Sequence, residues 1–299
     1  MGGGPWLSCR CRVWTGCARL SSHADLRTPI AGTGDLMSPD RVILCMKWGT
    51  LFPAEYVNVL FRAATVHLKP GFHFVCLTDQ DEGLASGIVV APIPDIGLTD
   101  AQIRAPGVWR KLALFHTDVA ELAFGARALV IDLDMMILGS LDPFLAADGE
   151  MILLDTGHDW RKSEPVQPST GVFAFTLGAQ QQILHAFLAD PVMAMARFRN
   201  EQDFVAAHAS GVALWPTGAV ISFKRHLVRR FGRDLFLRPR KPAPGPAILA
   251  FHGDPRPADL LRKGVWGRFP HLGRGPIAWV QEYWTRYGGS RPISRETKK

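Results

Sequence analysis

The sequence predicts an α/β fold, a single domain with a central, mostly parallel sheet flanked by helices. Two observations carry that expectation. Short apolar runs bounded by turn residues recur along the chain, among them Arg41-Val-Ile-Leu-Cys-Met46, Phe72 to Leu77 and Ala128 to Ile131, the pattern of strands buried on both faces. Between the first two, Tyr56, Val57, Leu60, Phe61, Ala64 and Leu68 repeat at helical spacing. Strand, helix and strand in alternation build a parallel sheet. Ligands of such sheets bind beyond the carboxyl ends of the strands, so the residues after each apolar run are weighed first for chemistry.

Residues 1–38 are rich in Gly, Ser, Arg and Cys and lack periodicity, which predicts a disordered basic extension. No continuous apolar core follows its arginines, so it does not read as a secretory signal. The spacing of Cys9, Cys11 and Cys17 beside His23 is not that of a zinc site. The domain is expected over 40–287, with a disordered tail at 288–299. Lys47 and Trp48 follow the first strand and Asp79 the second; packing and a turn explain Trp48 and Asp79 as readily as ligand contact does. Gly87 to Ala91 reads as a third strand, and a helix is expected from Gly107 to Phe124. Arg110 and Lys111 sit in its first turn, where the helix dipole disfavours cations unless they face an anion; the bland reading is a solvated face.

The chain is organised around Ala128-Leu-Val-Ile-Asp-Leu-Asp134. An apolar run delivers Asp132, and Asp134 follows two positions on, the same side of an extended chain. Two hard anionic oxygens there suit a divalent cation, and a cation suits a diphosphate. Asp-x-Asp alone is a weak signal that also fits a solvated loop. Further on, Thr170-Gly-Val-Phe-Ala-Phe175 reads as a strand with Gly171 at its mouth. Asn200 reads as an N-cap with Glu201 and Asp203 in the first helical turn. Ala247 to Phe251 delivers His252 at a strand end, followed by Gly253-Asp-Pro-Arg256-Pro. The tryptophans Trp266, Trp279 and Trp284 suggest a C-terminal helix packed on the domain or an aromatic acceptor platform.

These stretches resemble the GT-A glycosyltransferases, and within them the glycogenin-like group. Asp132 and Asp134 match the Asp-x-Asp motif, and Gly139-Ser-Leu-Asp-Pro-Phe144 is similar to its continuation. His252-Gly-Asp-Pro-Arg256 looks like the His-Gly-x-x-Lys-Pro motif, with Arg in place of Lys. Ser169-Thr170-Gly171 replaces an Asn/Ser-Gly-Val strand, and Glu201-Gln-Asp203 is similar to an acidic motif near the sugar. The resemblance covers most of 40–287 through short motifs. It implies glycosyl transfer from a nucleotide-diphosphate sugar, with a UDP-sugar as expected donor and a sugar, lipid or protein as acceptor. It implies that Asp132, Asp134 and His252 ligate Mn²⁺ or Mg²⁺. Donor contacts would come from Lys47, Trp48, Asp79, Arg110, Lys111, Asp132 and Gly171. Asp203 would be the candidate base, and Arg256 would hold the departing diphosphate.

Composition sets the alternatives. The net charge of +7 and pI of 9.4 favour anionic partners. Lys224, Arg225, Arg229, Arg230, Arg233, Arg238, Arg240 and Lys241 face a single acid, Asp234, which suggests contact with an anionic membrane. A nucleic-acid-binding module would use the same run, but only Phe231 and Phe236 interleave it, so no nucleic acid partner is expected. A haloacid-dehalogenase-like phosphatase would use Asp132 as nucleophile and Asp134 as acid. That motif expects Thr or Val where Met136 stands, and a later acidic pair that is missing. There is no Gly-x-Gly-x-x-Gly and no P-loop. Five cysteines make no disulfide framework, Cys45 and Cys76 lie in apolar runs, and a reducing cytoplasm is the expected compartment.

Overall fold

The computed structural model describes residues 40–161, 165–229 and 231–289. The expected N-terminal extension, nearly all of the expected tail, and Arg230 lie outside those residues. Twelve strands are described: β1 (Arg41–Lys47), β2 (His73–Thr78), β3 (Val89–Ala91), β4 (Arg127–Ile131), β5 (Met135–Ile137), β6 (Met151–Asp155), β7 (Pro168–Thr176), β8 (Val212–Leu214), β9 (Val220–Ser222), β10 (Ile248–Ala250), β11 (Gly264–Arg268) and β12 (His271–Gly275). Seven form the main sheet in the order β3-β2-β1-β4-β7-β6-β8. Its β1–β2, β1–β4, β2–β3 and β6–β8 pairs are parallel, and β7 runs antiparallel to β4 and β6. A small second sheet, β5-β10-β9, and the hairpin β11–β12 complete the set.

The continuous apolar strands are explained by cover on both faces. On β1, Ile43 and Cys45 point to one side, where the helix Ala54–His67 packs through Tyr56, Val57, Leu60 and Ala64. Val42, Leu44 and Met46 point to the other, against Trp109, Phe115, Phe187 and Phe204. Trp109 stacks on Phe187 at 5.7 Å and donates its indole N–H to the Pro106 carbonyl. Cys45 and Cys76 are neighbours in register on β1 and β2, both buried thiols.

Several boundaries differ from expectation. The expected helix over 107–124 is broken in two, a 3-10 turn at Trp109–Phe115 and a short α-helix at Thr117–Glu121. His116 is extended between them and its ring accepts the Asp118 N–H, a local cap that a periodicity count does not register. A helix at Pro191–Arg197 is additional; Asp190 caps it by accepting from the Met193 N–H, and Pro191 opens it. Trp266 belongs to β11, whereas Trp279 and Trp284 sit on the terminal helix Ala278–Arg286. No described helix is long and apolar enough to cross a membrane.

Candidate active site

The chain leaves the main sheet at the end of β4 and enters the second sheet at β5, and the two motif carboxylates lie in that crossing. They are not on extended chain: the Met135 N–H donates back to the Asp132 carbonyl across a tight turn. The turn is tied on both flanks. The Asp132 N–H donates to the Gly171 carbonyl on β7, and the Phe251 N–H donates to the Asp134 carbonyl just past β10. Two sheets therefore fix two carboxylates, and β10 delivers His252 beside them.

Asp132, Asp134, Gly171, Asp203 and His252 all border one cavity of about 350 Å³. Behind Asp132 sits Lys111, almost fully buried, whose ammonium donates to Asp132 Oδ1 at 2.5 Å and to the Thr170 carbonyl at 2.7 Å. The 3-10 turn carrying Lys111 thus aims a cation at a carboxylate, which answers why a cation sits there. Gly171 has no positive φ; a Cβ there would press on Met135 Cε at 2.9 Å and narrow the floor beside Asp132. Burial, then the neighbouring Asp132, pushes the Asp134 carboxyl up to about 7, a group that lacks enough positive charge around it. His252 is pulled down to about 3, first by burial and then by Lys224 and Arg225. It is a neutral imidazole, stacked on Trp160 at 4.9 Å, with Nε2 2.6 Å from Ser222 Oγ. Asp203 pairs with Arg199 at 3.2 Å, and its N–H is capped by Asn200 as expected.

The other residues singled out in the sequence are placed differently. Arg256 does not border the cavity; its guanidinium lies over the Phe52 ring at 5.0 Å, close enough to Asp134 for its charge to oppose the upward shift there. Lys47, Trp48, Asp79 and Arg110 also lie off the cavity. Lys47 is buried against Gln80, Asp79 accepts from Arg110 at 3.2 Å and from the Gly49 N–H, and Trp48 packs on the core. They form a polar knot at the carboxyl ends of β1 and β2. Gln202 went unremarked in the sequence, yet it borders the cavity and accepts from the Thr170 N–H and the Ser169 hydroxyl. Its position between two acids, next to a helix N-cap, was the available signal. Glu201 turns away from the cavity; it is buried, accepts from Thr170 Oγ1 at 2.6 Å, and its Oε2 has no partner.

Two carboxylates and a neutral imidazole on one wall fit a divalent cation in donor type, and the underneutralised Asp134 fits it in charge. Their ligand atoms do not all lie within 4.8 Å of one another; among the described residues that spacing is met only by Asp155, His158 and Asp159. In that second group Asp155 accepts from the Gly157 and Gln167 N–H groups and Asp159 from Thr217, so loop closure accounts for it.

Compared by sequence, the chain matches no protein-family profile and no curated protein. Compared by structure, it is similar to the galactosyltransferase LgtC solved with donor and acceptor sugar analogues, at TM-score 0.53 and 15% identity over 85% of this chain and 98% of that one. It is similar to the glycosyltransferase GlyE of Streptococcus pneumoniae at TM-score 0.50 and 9% identity, over 83% of this chain and 61% of that one. The bifunctional glycosyltransferase WbbM matches at TM-score 0.51 and 9% identity, over 83% of this chain and 49% of that one. The fold of this chain is that of the GT-A glycosyltransferases.

Proposed function

We propose that the chain is a metal-assisted glycosyltransferase that moves a sugar from a nucleotide-diphosphate sugar to an acceptor. The observation that carries the reading is the convergence of Asp132, Asp134 and His252 on one cavity in a GT-A fold. Asp132, Asp134 and His252 would hold Mn²⁺ or Mg²⁺, which when bound neutralises charge on a departing diphosphate. The chain's own part is positioning. Lys111 holds Asp132 in one orientation and supplies fixed positive charge below it. The low basicity of His252 keeps a lone pair available at neutral pH. Arg256 acts through Asp134 rather than as a direct fork on phosphate. Gln202 and Asp203 face the reacting space, and Asp203, held by Arg199, is the candidate base for an acceptor hydroxyl. The knot of Lys47, Trp48, Asp79 and Arg110 would contact the nucleoside once the Asp79–Arg110 pair opens.

Calorimetry of a uridine diphosphate with and without Mn²⁺ tests the reading. Asp134→Asn and His252→Ala are each expected to weaken metal-dependent binding, on the order of tenfold or more. Both residues border one cavity, so a loss confined to the metal-dependent part of binding in both variants would mark a common ion. If a folded His252→Ala protein keeps metal-dependent nucleotide binding intact, the three-ligand site is wrong. A phospho-enzyme formed at Asp132 would instead establish the phosphatase reading.

A further inference from the structure

The basic run beyond the site is not a uniform solvated face. Lys224 donates to the His252 carbonyl, and Arg229 is held by Asp234 and the Arg238 carbonyl. What the run presents outward is a turn spanning residues 231–237. Phe231 is 74% exposed, Phe236 90% and Leu237 53%. The turn is nevertheless anchored. Asp234 is buried at its base, accepting from the Arg229 N–H at 2.7 Å and its guanidinium at 2.9 Å, while the Arg274 N–H donates to the Asp234 carbonyl. Phe231 has φ +59°, a left-handed conformation unfavourable for a bulky residue.

The Arg274 bond and a bridge from Asp234 to Gly273 join the turn to β12. The tip of the β11–β12 hairpin carries Phe269, 73% exposed, with Val265 60% exposed along β11. Exposed Arg233, Arg238, Arg240 and Lys241 surround the turn. Exposed Lys263, Arg268 and Arg274 accompany the hairpin, and between residues 231 and 275 no acid is exposed. Rings carried on separate tips, each set among cations, suit a fluid anionic surface better than a preformed groove. On β11, a Cβ at Gly267 would lie 3.4 Å from Pro255, three residues past His252 on the cavity wall, so the hairpin adjoins the cavity.

We infer that the turn 231–237 and the hairpin tip at Phe269 form a membrane-docking surface for anionic lipid, with the aromatic rings entering the headgroup layer and the arginines and lysines meeting lipid phosphates. The surface stands apart from the proposed metal site, and it places the cavity beside the bilayer.

The test is flotation of the full chain with phosphatidylcholine vesicles, with and without phosphatidylglycerol, at low and high salt. Binding is expected only with the anionic lipid. Phe236→Ser and Phe231→Ser should each reduce partitioning on the order of tenfold at either salt concentration. Arg233→Gln and Arg240→Gln should each cost several-fold at low salt and little at high salt. Val66→Ser, at an exposed apolar position elsewhere, should leave binding unchanged. Circular dichroism of the same proteins reports on folding, and metal-dependent uridine diphosphate binding reports separately on the glycosyltransferase reading. Equal binding to neutral and anionic vesicles overturns the proposal, as does wild-type flotation of both Phe variants. A concentration-dependent dimer abolished by Phe236→Ser, or salt-sensitive capture of single-stranded DNA, in a protein that does not float, assigns the surface to another occupant and also overturns it.

Discussion

Lys111 and Glu201 show how much of this site is decided under its surface. Lys111 donates to Asp132 and to the Thr170 carbonyl, and Thr170 in turn donates through its hydroxyl to Glu201. Replacing Lys111 by Met keeps the volume but removes the charge under Asp132. Nucleotide-sugar turnover should then fall on the order of a hundredfold, measured as donor hydrolysis or transfer. Glu201 carries a different signature. Burial raises its carboxyl from 4.5 to about 7, against the opposing effects of Lys111 and the Thr170 bond. Between those values the folded protein holds a proton that the unfolded chain has lost, so stability falls as pH rises through that window and levels off above it. Glu201→Gln keeps an oxygen for Thr170 and abolishes the titration. The variant should match the parent near the lower limit of the window. It should be more stable at pH ~8 by up to about 3 kcal/mol, read from paired denaturant titrations. A difference that does not grow with pH would mean that Glu201 is ionised throughout.

At the scale of elements, the informative features are the places where one segment fastens another. The anchored turn at 231–237 depends on one buried carboxylate, Asp234, bridging a backbone N–H and a guanidinium. Asp234→Ala removes the acceptor of the Arg229 N–H and leaves the Arg229 guanidinium with the Arg238 carbonyl and no countercharge. It should cost about 3 kcal/mol and lower the Tm by several degrees in a scanning calorimeter. Asp234→Asn, which keeps one acceptor, should cost less. The crossing from β4 to β5 works in the same way, with Gly171 and Phe251 each pinning one backbone group of the Asp132–Asp134 turn. Because each pin belongs to a different sheet, the carboxylates report on the registration of the two sheets.

The whole molecule joins those sheets around the cavity, so a ligand that engages both should stabilise the fold as a unit. Uridine diphosphate with Mn²⁺ at ~100 times its Kd should add about 2.7 kcal/mol, seen as a rise in Tm. Asp134→Asn should cut the rise by about half or more without lowering the Tm of the unliganded protein, because relieving a carboxyl pushed up to about 7 removes a cost. A full rise in that variant would place nucleotide binding elsewhere in the molecule.

Much of this protein was determined by its sequence alone. Apolar runs such as Val42 to Met46, too short for a buried helix and bounded by turn residues, point to strands covered on both faces. The pattern of Tyr56, Val57, Leu60 and Ala64 dictates the helix that covers one of those faces. The Asp132–Asp134 pair, Asn200 as a cap and His252 after an apolar run were equally legible, since each depends on local chemistry. Tertiary structure decided what depends on distant partners. It turned Glu201 inward to Thr170, set Gln202 on the cavity, drew Arg256 onto Phe52 and withdrew Lys47 under Gln80. It also split the basic run into Lys224 and Arg229, fastened inside, and two phenylalanines left outside. A local pattern states which residues prefer burial. Which partner receives a buried charge is settled only when strands and turns distant in sequence meet, because a charge without a partner costs more than any local preference returns.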